Sequence, residues 1–366
     1  MIRNIVGPPA RGDDFFDREE LVALLWNRVE AGNVILAAPR RFGKTSLMYR
    51  LIDQSNAGWK PIHVDAESIR EPVNFVIALL DALMGDHQIR KALISGWKGS
   101  CQWLRGVLQD IEVTGPWDVG VKIGLKESMG PHWQERGEAL LRAVRGTDKK
   151  LLIIIDELPV MLHLFADNGV SDADTRAFLY WFRKLRTDPE MGLTNCRFLV
   201  GGSIGIEHRL SQLGAVDSFN DFERVTLNEL RTERAAEFLR RLLESRGVTM
   251  SAAAQRAVLD LVGAPIPYFI QVFVSEIATE TANGAVRLGP QRLDEIYRDR
   301  VLGASCKSYF QHYYDRLRHY DKRQEQAAKA MLKALALAHP QPIPRDQLRV
   351  LAQPAGLTED EFSQLV

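Results

Sequence analysis

The chain has 366 residues, 46% hydrophobic and 26% charged, and its 47 Lys and Arg are matched by 47 Asp and Glu. That length suits two or three domains, the composition is that of an ordinary globular protein, and a formal charge of zero argues against a polyanion or a membrane surface as the main partner. Cys101, Cys196 and Cys306 are scattered and odd in number, which excludes a disulfide framework and fits a reducing, cytoplasmic setting; no apolar run is long enough to span a bilayer.

In chain order, residues 1–32 begin with a turn-rich stretch around Gly7, Pro8, Pro9 and Gly12, followed by FFDREEL. Asp17 fits an N-cap with Glu20 three residues on, a capping-box spacing. The following helix is expected to bury Leu21, Leu24, Leu25 and Val29. Next comes NVILAAPRRFGKTSLMYRL at 33–51. Its apolar run at 34–38 reads as a buried strand, and from Gly43 onward Leu47, Met48 and Leu51 take helical spacing.

Strand, tight loop, Gly-Lys-Thr and helix make a phosphate-binding loop, the Walker A motif. Pro39, Arg40, Arg41, Phe42 and Gly43, with Lys44, Thr45 and Ser46 at the helix start, would wrap the phosphates of ATP with backbone N–H groups and the positive end of the helix. Lys44 would reach the β- and γ-phosphates, and the Thr45 hydroxyl would ligate Mg²⁺. The pattern GxxxxGK[ST] puts its first glycine at position 38, where this chain has Ala38. Alanine tolerates positive φ poorly, so the loop either enters by a different path or keeps that residue extended.

Residues 60–67 predict a second buried strand ending in acidic residues, with His63 a packed strand residue. Two amphipathic helices are expected over 72–112, broken near Gly85 and at 96–99, with Trp97 and Trp103 as core or groove aromatics. Residues 117–126 alternate apolar and polar and suggest a hairpin or edge strand; a helix at 132–145 follows.

The run KKLLIIIDE at 149–157 is the Walker B pattern. Unbroken hydrophobicity means burial on both faces of a parallel sheet. Asp156 and Glu157 then emerge at the carboxyl end of the strand, where open α/β sheets bind ligands. Asp156 would hold the Mg²⁺, directly or through water, and Glu157 would orient the attacking water. A helix at 171–186 carries Arg176, Arg183 and Arg186. A fourth strand at 197–203 ends in Ser203, placed between the Walker motifs to sense the γ-phosphate or the water; a fifth lies at 222–227. The expected fold is α/β, a P-loop NTPase core over 1–230. Its five parallel strands take the order 5-1-4-3-2, joined by right-handed crossovers.

From residue 231 the pattern is helical, with helices at 233–243, 252–262, 268–282 and 293–301 making a lid domain over 231–306. Residues 307–366 predict helices at 307–319, 322–338 and 345–351 and another starting at Thr358, an arrangement like a winged helix-turn-helix. The wing is missing, as though the domain were truncated. Over 292–350 there are 12 Lys and Arg against 7 Asp and Glu, a modest basic bias. If DNA is bound there, Arg345 and Arg349 are the candidate phosphate contacts.

Taken together, FFDREEL, APRRFGKTSL, IIIDELP, FLVGGSIG and GAPIPYF make the chain resemble the STAND and archaeal-type ATPases of the AAA+ group over about residues 5–300. The resemblance implies that Arg18 and Glu19 lie near the adenine, that Gly263 and Pro267 belong to a lid motif near the nucleotide, and that Ser203 is the sensor. Arg183 and Arg186 are candidates for an arginine finger by position. The function expected is Mg²⁺-dependent ATP hydrolysis driving a molecular switch, with ATP or ADP bound and a protein partner or homo-oligomer as the target. The alternatives are a non-hydrolysing nucleotide-bound adaptor and an ATP-tuned DNA-binding regulator.

Overall fold

The computed structural model describes residues 2–95, 126–127, 129–144, 149–191, 193, 195, 196–202, 206–282, 288–338 and 341–366. The helical segment expected at 96–112, the alternating stretch at 117–125 and Ser203 lie outside these. Five strands, β1 (Asn33–Ala37), β2 (Trp59–Asp65), β3 (Lys150–Asp156), β4 (Cys196–Gly202) and β5 (Phe222–Thr226), form one sheet. Its order is β2-β3-β4-β1-β5, every pairing is parallel, and this is the order expected from the sequence.

Strand β3 shows why so apolar a run must sit at the centre. Its alternate side chains enter opposite faces, Leu151, Ile153 and Ile155 on one and Leu152 and Ile154 on the other, and all five are buried. The first face is covered by α3 (Pro72–Met84), α5 (Trp133–Val144), α6 (Leu158–Asp167) and α7 (Asp172–Thr187), with Phe75 edge-on to Phe178, Trp181 and Phe182. Helix α4 (His87–Ser95) follows α3 in the chain and adds Ile89 and Leu93 to this core. Opposite, α1 (Glu19–Ala31) and α2 (Lys44–Asp53) pack Leu25, Trp26, Val29, Leu47, Met48 and Leu51 onto β1, β3 and β4. Helices α8 (Ile206–Gln212) and α9 (Thr232–Ser245) flank β5 in the chain.

Helix α1 corrects two local expectations. Its N-cap is Arg18, not Asp17, and no side chain caps it. Asp17 and Arg18 both lie in the left-handed region, at φ 58° and 87°. The Asp17 carboxylate is instead taken by Arg234 at 3.0 Å, which removes it from the helix N–H groups. Leu24 is exposed, because the buried face is centred on Leu25, Trp26 and Val29, with Trp26 against Trp59.

Residues Met1–Ser245 and Ala264–Phe269 make one compact unit; Arg246–Gly263 and Ile270–Val366 make the other. The second unit holds α10 (Ala252–Val262), most of α11 (Pro267–Ala282), α12 (Pro290–Ile296), α13 (Lys307–Asp315), α14 (Lys322–Ala338), α15 (Arg345–Ala352) and α16 (Glu359–Leu365). Ser251 caps α10, its hydroxyl accepting from the Ala254 N–H. Within this unit Glu280, buried, takes ion pairs from Arg292 and Arg300. A small core of Ala327, Met331, Leu348, Ala352 and Phe362 holds α14, α15 and α16 together, and Thr358 with Glu361 forms a capping box at the start of α16. No helix among the described residues is long and apolar enough to cross a membrane.

Candidate functional site

The carboxyl ends of β1 and β3 bring four side chains together. Lys44, first residue of α2, is 4% exposed at its side chain, and its Nζ lies 3.2 Å from Glu157 Oε1. The Thr45 hydroxyl donates to Asp156 Oδ2 at 2.6 Å, and the Glu157 N–H donates to Asp156 Oδ1 at 3.0 Å. Glu157 is the N-cap of α6 and stands at φ 57°. This turns its carboxylate toward Lys44 instead of along the strand. Its second oxygen, Oε2, is buried and has no hydrogen-bond partner among the described residues. Burial pushes the Asp156 carboxyl above the usual range, opposed by the charge of Lys44 and the hydrogen bond from Thr45.

Gly43, the N-cap of α2, takes φ 92°, a conformation that only glycine adopts without steric cost. Ala38 does not need one. It lies outside the positive-φ residues, is fully buried, and its N–H continues the strand pattern by donating to the Gly202 carbonyl at 3.2 Å. Of the two paths open for a loop without its first glycine, the chain takes the extended one. The left-handed residues of the loop are Arg41 and Gly43.

Ser46 accepts from the Ala10 N–H at 2.9 Å, which pins the turn-rich N-terminal stretch onto α2. Arg40 reaches Glu67 at 3.4 Å. Pro39 is half-buried, and Phe42 packs against the core beneath α1 and α2. Arg41 lays its guanidinium over the Tyr268 ring, 4.3 Å from the centroid, beside Pro267 at the start of α11. Arg18 donates to the main-chain carbonyls of Asn228 at 2.6 Å and Glu229 at 3.4 Å, tying the start of α1 to the segment after β5.

His63 is a packed strand residue, its ring 5.3 Å from that of Tyr49, and burial holds its pKa below the usual value. Arg186 does not serve as a finger. Its side chain is fully buried, clamped by both Asp221 oxygens and stacked on Phe182 and Phe222. Arg183 pairs with Asp217 at 2.8 Å.

A magnesium ion held by this loop would take the Thr45 hydroxyl and the Asp156 carboxylate as its protein ligands. The two oxygens already sit in hydrogen-bond contact. A small hard cation that keeps phosphate and water in most of its positions needs no more than one or two such ligands.

Reading the sequence missed one residue here, Gly201 on β4. A Cβ at this position would come within 2.6 Å of Asp156 Oδ1 and of Met48 Cε, and 3.3 Å from Lys44 Cε. Its only signal was a Gly-Gly pair ending an apolar run, which also reads as a plain strand terminus. We expect Gly201→Ala to push the Asp156 carboxylate off Thr45. Overpacking of this kind costs about 1–3 kcal/mol, and a Mg²⁺ titration of nucleotide binding should show roughly a tenfold loss. An unchanged titration would mean that Met48 alone absorbs the methyl group.

Fold and site together define an α/β protein with a five-stranded parallel sheet and the strand, loop and helix of a P-loop NTPase. No protein-family model matches the chain, and no curated protein sequence matches it. Solved structures do. It is similar to the Walker-type ATPase PABY2304 of Pyrococcus abyssi over 99% of both chains, at 15% identity and a TM-score of 0.60. It is also similar to the Aeropyrum pernix ORC2 protein, solved in ADPNP–ADP complexes, over 97% of this chain and 82% of that one, at 14% identity and a TM-score of 0.52. Likeness at this level of identity is a likeness of fold.

Proposed function

We propose that the protein is a Mg²⁺-dependent ATPase that works as a nucleotide-driven switch. The observation that carries this is the convergence of Lys44, Thr45, Asp156 and Glu157 at the ends of two adjacent-but-one strands of the sheet. The loop backbone and Lys44 bind the β- and γ-phosphates. Bound magnesium would neutralise the charge that develops on the phosphate oxygens. Glu157 uses one oxygen on Lys44 and offers the other, Oε2, as an acceptor for the attacking water. The γ-phosphate competes with Glu157 for Lys44, so substrate binding itself frees the carboxylate for its role. In this reading Pro267 and Arg18 border the nucleotide, and Ser203 keeps the sensor role that the resemblance implies.

The switch reading adds that the nucleotide state is passed along the chain at Ala264–Phe269. That segment belongs to the nucleotide-binding unit, while the chain on either side of it belongs to the second unit. A protein partner or a second copy of the chain is the target that such a switch would serve.

ATP turnover measured with mass in solution under ATP and ADP tests the proposal. Magnesium-dependent phosphate release supports it, and tight binding without turnover would favour the adaptor reading.

DNA is a weaker partner on physical grounds. Arg349 pairs with Glu359 at 2.7 Å, and Arg345 donates to Ser363 at 2.6 Å. The first turn of α16 carries Glu359, Asp360 and Glu361, which repel a phosphate backbone. A labelled duplex titrated at low and moderate salt should therefore show negligible binding. Binding with a steep salt dependence, with a log–log slope of about 0.9 per phosphate contact, would reinstate the DNA-regulator reading.

A further inference from the structure

We infer that Arg41 grips the polyphosphate chain of the bound nucleotide with its side chain, and that Tyr268 positions it to do so; this rests on the nucleotide-binding reading of the loop. Three observations carry it. Arg41 holds a left-handed backbone, φ 73°, which strains an L-residue by about 1–3 kcal/mol and leaves glycine unstrained. An arginine there is justified only by its side chain. That side chain is fixed, its guanidinium face lying 4.3 Å over the ring of Tyr268, which is itself 5% exposed. The ring is anchored in turn, since the Leu230 N–H donates to the Pro265 carbonyl and the Phe269 N–H to that of Ile266, both at 3.1 Å.

Finally, the guanidinium lacks an anion. Its Nε is buried without a partner, and among the described residues no carboxylate pairs with it, whereas Arg40 beside it reaches Glu67. A guanidinium stays charged at every relevant pH, and a partly desolvated charge without a counter-ion is unfavourable. Stacking occupies the face and leaves the N–H edge to donate. In a loop whose other cations are Arg40, paired with Glu67, and Lys44, the acceptor that satisfies this edge is a phosphate oxygen.

The test is equilibrium binding of a fluorescent ATP analogue, with inorganic tripolyphosphate and adenosine as competitors and thermal melting of every variant. Arg41→Ala should weaken the analogue and tripolyphosphate roughly 10- to 100-fold, the range for a hydrogen bond to a charged group, with adenosine competition unchanged. Arg41→Lys should recover only part, because an ammonium cannot stack and donate together. Tyr268→Leu should cause a similar loss, Tyr268→Phe should restore most of it, and the double variant Arg41→Ala with Tyr268→Leu should lose little more than either alone.

Unchanged affinity in Arg41→Ala, with binding lost in Lys44→Ala, overturns this inference and leaves the loop assignment standing. A lowered melting temperature at unchanged affinity does the same. Additive losses in the double variant overturn the role of Tyr268. If the unaltered protein binds neither the analogue nor tripolyphosphate, the loop assignment and this inference fall together.

Discussion

Lys44→Ala should abolish ATP binding in any practical assay. The lysine is buried at the start of α2, and its Nζ already sits against a carboxylate oxygen at 3.2 Å, so its partner is an anion with or without nucleotide. Charge-assisted hydrogen bonds to two phosphates contribute about 3–6 kcal/mol together, or roughly 10²- to 10⁴-fold in affinity. The substitution also removes the Lys44 ammonium that Glu157 faces in a partly buried site. A loss of thermal stability should accompany it, and added ATP should recover none of that loss. Isothermal titration with Mg²⁺·ATP checks this, and affinity equal to that of the unaltered protein would remove the phosphate-loop assignment.

The second large effect belongs to Glu157. Glu157→Gln keeps the size of the side chain and an oxygen for Lys44, so nucleotide binding should survive. What it loses is an acceptor at the buried Oε2 position, which an amide nitrogen cannot supply. Positioned general bases contribute about 10²–10⁴-fold, and single-turnover hydrolysis should slow by that factor. Asp156→Asn should behave differently. Its carboxylate accepts from Thr45 and from the Glu157 N–H, so its loss should appear first as weakened dependence of binding on Mg²⁺. Interchangeable effects of the two substitutions would undo this division of labour.

The two carboxylates, adjacent in sequence, diverge because of backbone geometry. Asp156 ends β3 in extended conformation and faces Thr45. Glu157 turns through φ 57° into the first position before α6 and faces Lys44. A strand continued by one more residue would have sent Glu157 to the opposite face of the sheet. Gly201 completes the arrangement from the neighbouring strand by leaving room for Asp156 and Lys44 at once.

Much of this was legible in the amino-acid sequence because it rests on local rules. A five-residue apolar run ending in acids fits a strand buried on both faces, and a Gly-Lys-Thr after a strand fits the start of a helix whose N-terminus is open to an anion. Hence the five strands, with Lys44, Thr45, Asp156 and Glu157 at or just after their ends, follow from patterning, while the expected strand order rested on placing a strand between those of the two Walker motifs and is the order the sheet takes. Tertiary structure decided whatever depends on partners distant in the chain. Asp17 has every local feature of an N-cap and loses that role to Arg234, 217 residues away. Arg186 has the spacing of a solvent-facing arginine and is drawn inward by Asp221 and the faces of Phe182 and Phe222. Arg41 reads as one more loop cation until Tyr268, contributed from far along the chain, fixes the direction of its guanidinium. Periodicity reports which face of an element is apolar, but a charged side chain settles on whichever counter-charge or ring the fold brings near it, and that choice is made only when the chain has closed.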